Sequence, residues 1–307
     1  MCFKVKVDVK SPRWLIMGED MKTENNPIKK YFPVFVLPTL LCFVMFFVVP
    51  FLMGIGLSFT KFTTVTDITD FVGFKNYVKA FTADNDFLHA LGFTSLFTIV
   101  SIVTVNVFAF ALALLLTKGI KGTNFFRSVF FMPNLIGGIV LGYIWNLLIN
   151  GVLQHYFGED ITFKTQYGFF GLVILTNWQL IGYMMVIYIA GLQNIPGDLI
   201  EAASIDGASP LRVLFQVKIP MVMPSITICM FLTLSNSFKM FDQNLALTAG
   251  APENTTEMLA LNIYKTFYNR NASWHGVAQA KAVMFFIIVA VIAFIQLRLT
   301  NKKEIEQ

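Results

Sequence analysis

At 307 residues, 56% hydrophobic and only 13% charged, with a mean hydropathy of +0.66, the chain carries too little polar side chain to cover a water-soluble globule of its size. It is expected to cross a membrane several times. The net charge of +5 comes from basic residues scattered at the ends of apolar segments, so topology accounts for it and no nucleic-acid partner is expected. Cys2, Cys42 and Cys229 show no CxxC spacing, and two of the three lie inside apolar segments. Neither a disulfide framework nor a metal site is expected from them.

Residues 1–30 mix seven basic and four acidic residues, and read as a cytoplasmic tail without a cleavable signal peptide. The membrane domain is expected over 31–299, beginning with a span at 33–59 that Pro38 and Pro50 should kink. At about 1.5 Å per residue that span can cross a hydrocarbon core about 30 Å thick. A polar loop over 60–88 follows, holding Asp67, Asp70, Asp84 and Asp86 and a short surface helix near 74–81. Further spans are expected at 90–116, at 125–150 with breaks at Pro133-Asn134 and Gly137-Gly138, and at 169–192. A fifth, over 221–247, has a polar second half. A polar loop over 249–279, a sixth span at 280–299 and a cytoplasmic tail at 300–307 complete the chain. The fold class is therefore all-α and polytopic, with six transmembrane helices.

Positive charges orient it. With the amino terminus inside, fifteen basic residues fall on inside segments and six on outside loops, which puts both termini in the cytoplasm.

The stretch over 201–224, EAASIDGASPLRVLFQVKIPMVMP, is too polar for lipid and lies on a cytoplasmic loop over about 193–224. Ile205, Ala208 and Leu211 recur every third residue while Glu201, Asp206 and Arg212 stay polar, the pattern of a short helix lying on a surface. Gly207 can bend or be closely approached, Pro210 can open a helical turn, and Pro220 and Pro224 punctuate the return to the bilayer. A helix-loop-helix presented to the cytosol is the expected form.

The sequence has no GxxxxGK[ST] loop and no HExxH, and its three histidines, His89, His155 and His275, fall in expected external loops. No catalytic constellation is evident, so the chain is not expected to be an enzyme, and nucleotide hydrolysis would need another chain. Polar groups inside spans tend to face a pathway or a partner. The candidates are Asn177, Trp178, Gln179 and Tyr183 on the fourth span and Asn236, Lys239, Asp242 and Gln243 on the fifth. Lys239 and Asp242 suit an ion pair with a packing role as well as substrate contact, and the tryptophans suit interfacial anchoring as well as sugar stacking.

Glu201, Ala202, Ala203, Asp206, Gly207, Ala208 and the downstream Pro220 resemble the EAA signature of the membrane subunits of bacterial binding-protein-dependent ABC importers. Phe241-Asp242, Thr248, Gly250, Pro252, Thr256-Glu257 and Tyr264 are similar to the pattern that follows the signature in carbohydrate-type permeases, with Ala249 and Ala251 where glycines are common. The likeness runs from residue 30 onward and is strongest to the maltose and glycerol-phosphate type of first permease subunit, without the large external domain of the enterobacterial maltose subunit. It implies a type I importer permease fold in a bacterial inner membrane, and a coupling helix docked on an ATPase. Glu201 would be the electrostatic anchor, Ala202 and Ala203 the small contact face, Gly207 the bend, and Asp206 a cap or a further contact. The implied partners are a second permease subunit in a heterodimer, two ATPase subunits holding ATP and Mg, an extracytoplasmic solute-binding protein, membrane lipid and a carbohydrate substrate. This chain itself would bind no cofactor. Glycerol phosphate or another small polar solute is the alternative cargo. A self-sufficient secondary carrier would call for a second inverted half, and none is visible.

Overall fold

The computed structural model describes residues 27–64 and 67–301, so the expected tails lie outside the described residues up to 26 and from 302 onward. The described chain falls into two units that divide after Gly54. The first holds α1 (Pro27–Phe43), a π-helical segment Val44–Val48 and most of α2 (Val49–Leu57). No residue from 31 to 54 is buried within the chain, so these apolar side chains need lipid or another chain as cover. The helix accommodates Pro50 by widening: the Val49 N–H donates to the Val44 carbonyl just ahead of the proline, whose ring would crowd the carbonyl four residues before it.

The second unit opens with an antiparallel hairpin, β1 (Thr60–Thr64) and β2 (Asp67–Phe71), in which Thr60 faces Phe71 and Thr64 faces Asp67. It is followed by α3 (Lys75–Thr82), the surface helix expected near 74–81. The hairpin corrects the expectation of a plain polar loop over 60–88, since a run rich in Thr, Val, Ile and Phe pairs as strands. Buried Asn76 ties α3 to it by donating to the carbonyls of Ser58 and Thr60, each at 2.9 Å.

Next come α4 (Asn85–Leu116), α5 (Thr123–Phe131), a 3-10 turn Met132–Leu135, α6 (Gly138–Phe157) and α7 (Thr165–Gln193). The third span expected over 125–150 does break at Pro133-Asn134 and Gly137-Gly138, into two helical arms bent by 100°. α6 also runs on through positions expected to be loop, so His155 lies on it, as His89 lies on α4. Lys164 and the Tyr167 hydroxyl bond to Glu159 at 2.7 and 2.6 Å beyond α6, holding its carboxyl below the usual range.

The chain then forms α8 (Gly197–Ile205), α9 (Pro210–Val213), a π segment Leu214–Lys218, α10 (Ile219–Met221), α11 (Met223–Phe238), α12 (Asp242–Leu247), α13 (Leu259–Tyr268), a 3-10 turn Ala272–Trp274 and α14 (His275–Asn301). The fifth span expected over 221–247 is broken between α11 and α12, and α11, with 16 residues, measures only about 24 Å. The polar loop expected over 249–279 carries α13, which buries Leu259, Leu261, Asn262 and Thr266. Among the described residues four helices are long and apolar enough to cross a bilayer, and six crossings result if each bent pair counts as one.

α4, α7 and α11 share a core around Val105, Ala109, Met184 and Cys229. A polar seam crosses it: the Tyr188 hydroxyl donates to Asn106 Oδ1 at 2.7 Å, and Asn106 Nδ2 donates to Thr233 at 3.3 Å. Such side-chain bonds and close backbone approaches hold helices together where lipid supplies no hydrophobic drive. Gly182 of α7 is the tightest approach, because a Cβ there would overlap the Phe130 carbonyl of α5. Gly182→Ala is therefore expected to collapse the yield of monodisperse protein in size-exclusion chromatography, whereas Gly92→Ala, with open space around it, should be neutral or slightly stabilising, by up to about 1 kcal/mol. Equal yields for the two variants would refute this packing.

A buried charge cluster joins α4, α13 and α14. Lys281 of α14, fully buried, donates to Asp84 Oδ2 at 2.5 Å, Asn262 Oδ1 at 2.8 Å and Thr266 Oγ1 at 2.7 Å. All three ammonium donors are thus used. Asp84 also caps α4 by accepting from Asp86 N–H, and pairs with Arg270 at 3.2 Å. Glu257 accepts from Asn262 and pairs with Lys265, each at 2.7 Å, extending the network along α13.

Candidate functional site

The signature stretch builds a surface turn whose chemistry explains its residues. α8 ends at Ile205 with Asp206 as its C-cap, and Gly207 takes the left-handed conformation at φ +75. Gly207 N–H donates to the Ser204 carbonyl at 3.1 Å and Ala208 N–H to the Ala203 carbonyl at 3.0 Å, the paired bonds of a Schellman cap. A glycine adopts that backbone without the penalty a Cβ brings. Ser209 then caps α9, accepting from Arg212 N–H at 3.4 Å, with Pro210 at the first helical position. The cap of the second helix is thus Ser209 and not Asp206. Pro220 follows the π segment Leu214–Lys218, as Pro50 follows Val44–Val48. α9 and α10 bend by 71° into α11.

Val213 is buried and anchors the turn, while Glu201, Ala202 and Asp206 are exposed and Ala203 and Ala208 half-buried. Ile205 is 86% exposed, Leu211 67% and Phe215 64%, so apolar side chains stand uncovered on a loop too polar to lie in lipid. That combination leaves an apolar patch available at the surface of the turn.

A second feature forms where both broken helices meet. Lys239 caps the C-terminal end of α11 and Asp242 sits in the first turn of α12, each charge matching the partial charge of its helix end. Gln179 of α7 lies between the two breaks, accepting from Gln243 at 2.9 Å and donating to the Ile136 carbonyl at 3.4 Å. Backbone freed by a break inside a membrane is tolerated where such groups re-satisfy it. Gly138 and Gly142 of α6 admit α12 closely: a Cβ at Gly138 would come within 2.8 Å of Asp242 Cβ, and one at Gly142 within 2.7 Å of Ala246 Cβ.

Beside this junction lies a cavity of about 380 Å³ lined by Gln179, Tyr183, Asn236, Lys239 and Gln243 together with Asn134 and Met240. Five of the eight pathway residues expected from sequence therefore converge. The other three are placed elsewhere. Asn177 donates to Thr104 Oγ1 at 2.9 Å and links α7 to α4, Trp178 meets Trp145 edge to face at 5.7 Å, and Asp242 packs on Gly138. No ion pair joins Lys239 to Asp242 among the described residues, which leaves Lys239 the only charge lining the cavity. Sequence reasoning passed over Asn134, whose one signal was its place in the Pro133-Asn134 break.

The segment after α12 is a knot of buried hydroxyls and amides. Asn244 bonds Thr248, the Thr256 carbonyl and Met258 N–H, while Thr256 donates to Thr248 at 2.9 Å. Ala249 has φ +50 and Gly250 φ +90, so position 249 is one where glycine would be unstrained.

Broken helices re-satisfied around a polar cavity, joined through a bare surface turn, define a transport-type membrane protein. The chain belongs to the family described as "Binding-protein-dependent transport system inner membrane component", whose pattern matches residues 106–304. It is 46% identical over 299 residues to "Probable starch degradation products transport system permease protein AmyD" of Thermoanaerobacterium thermosulfurigenes, covering 94% of this chain and 100% of that one. It is 33% identical to "Multiple sugar-binding transport system permease protein MsmF" of Streptococcus mutans, covering 92% and 100%. A crystal structure of a bacterial ABC transporter involved in import of the acidic polysaccharide alginate shares the fold at TM-score 0.75 and 18% identity, over 90% of this chain and 97% of that one. The expected importer permease fold is thus the observed one.

Proposed function

We propose that this chain is the membrane permease subunit of an ATP-driven carbohydrate importer, coupling a separate ATPase to alternating access at the cavity. The observation that carries the reading is the pairing of an amide-lined cavity with an uncovered helix turn of the signature sequence. Sugars are held by hydrogen bonds from amides and hydroxyls, which Asn134, Gln179, Tyr183, Asn236 and Gln243 supply. A glycerol phosphate or another anionic solute would call for more cationic lining than Lys239 alone. The two relatives named for starch degradation products and multiple sugars support the same choice.

On this reading Glu201, Ala202, Ala203, Asp206, Gly207, Ala208 and Pro220 form the ATPase-coupling turn, and the catalytic work, with ATP and Mg, belongs to two ATPase subunits. The second permease subunit completes a heterodimer, and a solute-binding protein delivers the sugar from outside. The excess of positive charge on those segments supports a cytoplasmic side for both termini and the coupling turn.

The test is reconstitution of the four-part complex in proteoliposomes, with binding protein on one face, ATP on the other and labelled maltooligosaccharides as cargo. Uptake is expected only with ATP on the face of the coupling turn. Gln243→Ala should lower uptake by about tenfold, the loss expected when a buried polar partner is removed. Uptake by this chain alone on an ion gradient, or none of these sugars imported by the full complex, would sink the reading.

A further inference from the structure

A second groove, of about 490 Å³, lies along α13 and α14 and is lined by Phe241, Ile263, Tyr264, Phe267, Tyr268 and Gln279. We propose that it is a stacking ladder that leads extended oligosaccharides to the polar cavity, a subsite that rests on the carbohydrate reading above and extends it. The rings of Phe241 and Tyr264 lie 5.0 Å apart and tilted by 57°, and those of Tyr264 and Tyr268 4.7 Å apart and tilted by 40°, so three aromatic rings in mutual contact run along the groove. Tyr264 and Tyr268, four residues apart on α13, share one helix face.

Three observations select a sugar over an acyl chain as the occupant. The groove is amphipathic. Among the described residues the hydroxyls of Tyr264 and Tyr268 and the amide of Gln279 have no hydrogen-bond partner, and a hydrocarbon cover would leave them unsatisfied. Exposure also falls along the ladder, from 66% at Tyr268 to 40% at Tyr264, with Phe241 half-buried at its inner end. Finally, the inner rung is next in the chain to a residue of the polar cavity. Phe241 stands in the helix break between Met240 and Gln243, both of which line that cavity. In the proposed orientation Tyr268 is at the external end, next to the turn that opens α14. Aromatic faces hold pyranose rings by stacking, and unpaired hydroxyls at their edges set the register.

The ladder predicts length dependence. In the reconstituted four-part complex, uptake of maltose and of maltoheptaose is measured for the wild type, Tyr268→Leu and Tyr268→Phe. Tyr268 is the rung to change because its exposed ring supports little of the fold. The ratio of maltoheptaose to maltose uptake is expected to fall by about fivefold in Tyr268→Leu, the loss of one aromatic stack, and to hold within about twofold in Tyr268→Phe, which keeps the ring. Tyr264→Leu, one rung inward, should lower the ratio likewise. A ratio equal to wild type in both leucine variants overturns the ladder and leaves the carbohydrate reading standing. Leucine variants that fail to assemble, while Tyr268→Phe assembles, make the groove a subunit contact and overturn it too. A wild-type complex that imports neither sugar overturns both.

Discussion

Glu201→Ala combined with Gly207→Asp is expected to leave the importer assembled and its ATPase running while uptake falls by about tenfold or more, a loss of coupling of at least about 1.4 kcal/mol. The reasoning starts at the Schellman cap. Gly207 sits at φ +75, and a Cβ added there meets no atom of this chain within 4 Å. Aspartate is among the residues that visit the left-handed region at modest cost, so the turn should survive the change. On the coupling reading, its carboxylate would stand in the space that the ATPase needs. Glu201 is exposed and unpaired among the described residues, so truncating it removes nothing that holds α8 in place. Both substitutions are therefore expected to cost the fold little and, on the coupling reading, to act chiefly at the ATPase contact. Wild-type uptake by the double variant would end the coupling assignment, and failure to assemble would mean that the turn serves the fold.

Lys281→Met should destabilise the chain by about 3 kcal/mol, near the lower end for breaking a buried ion pair, since Arg270 remains 3.2 Å from Asp84 to hold part of its charge. In detergent that corresponds to a melting temperature lower by roughly 10 °C. Asn262 Oδ1 and Thr266 Oγ1 would also lose their donor. The companion Lys281→Met/Asp84→Asn removes both charges and should recover part of the loss, because a buried carboxylate that keeps only Arg270 as partner is what makes the single variant costly. Melting unchanged in the single variant would show that the cluster holds nothing together.

The elements legible in advance were those whose signal is local. The long apolar segments now called α1–α2, α4, α7 and α14 announce themselves by length and hydropathy. The coupling turn did so by the order Ala203, Asp206, Gly207, Ser209, Pro210, in which each residue suits one position of a helix end and the next helix start. The hairpin reads as polar loop because Lys61, Thr63, Asp67 and Asp70 are exposed, and only the pairing of the strands, over buried Phe62, sets it apart from a loop. α13 reads so because its polar residues Asn262 and Thr266 face inward, under Lys281. Polarity at those positions signals burial with partners, which a single sequence does not distinguish from exposure to water. Lys281 went unnoticed for the same reason, since its counter-charge Asp84 is 197 positions away.

The sequence by itself determined that the chain is a multi-crossing helical membrane protein, and placed on it a capped surface turn, because lipid solubility and helix capping are decided within a few neighbouring residues. The tertiary structure alone decided that the fifth crossing is broken, how sharply the third bends at its expected break, and that Gln179 joins the two breaks. It likewise gathered five of the eight candidate residues around one cavity while turning Asn177 toward α4. Those outcomes depend on which backbone groups are freed at a break and which distant side chain can reach them, and that is settled only when α6, α7, α11 and α12 pack together.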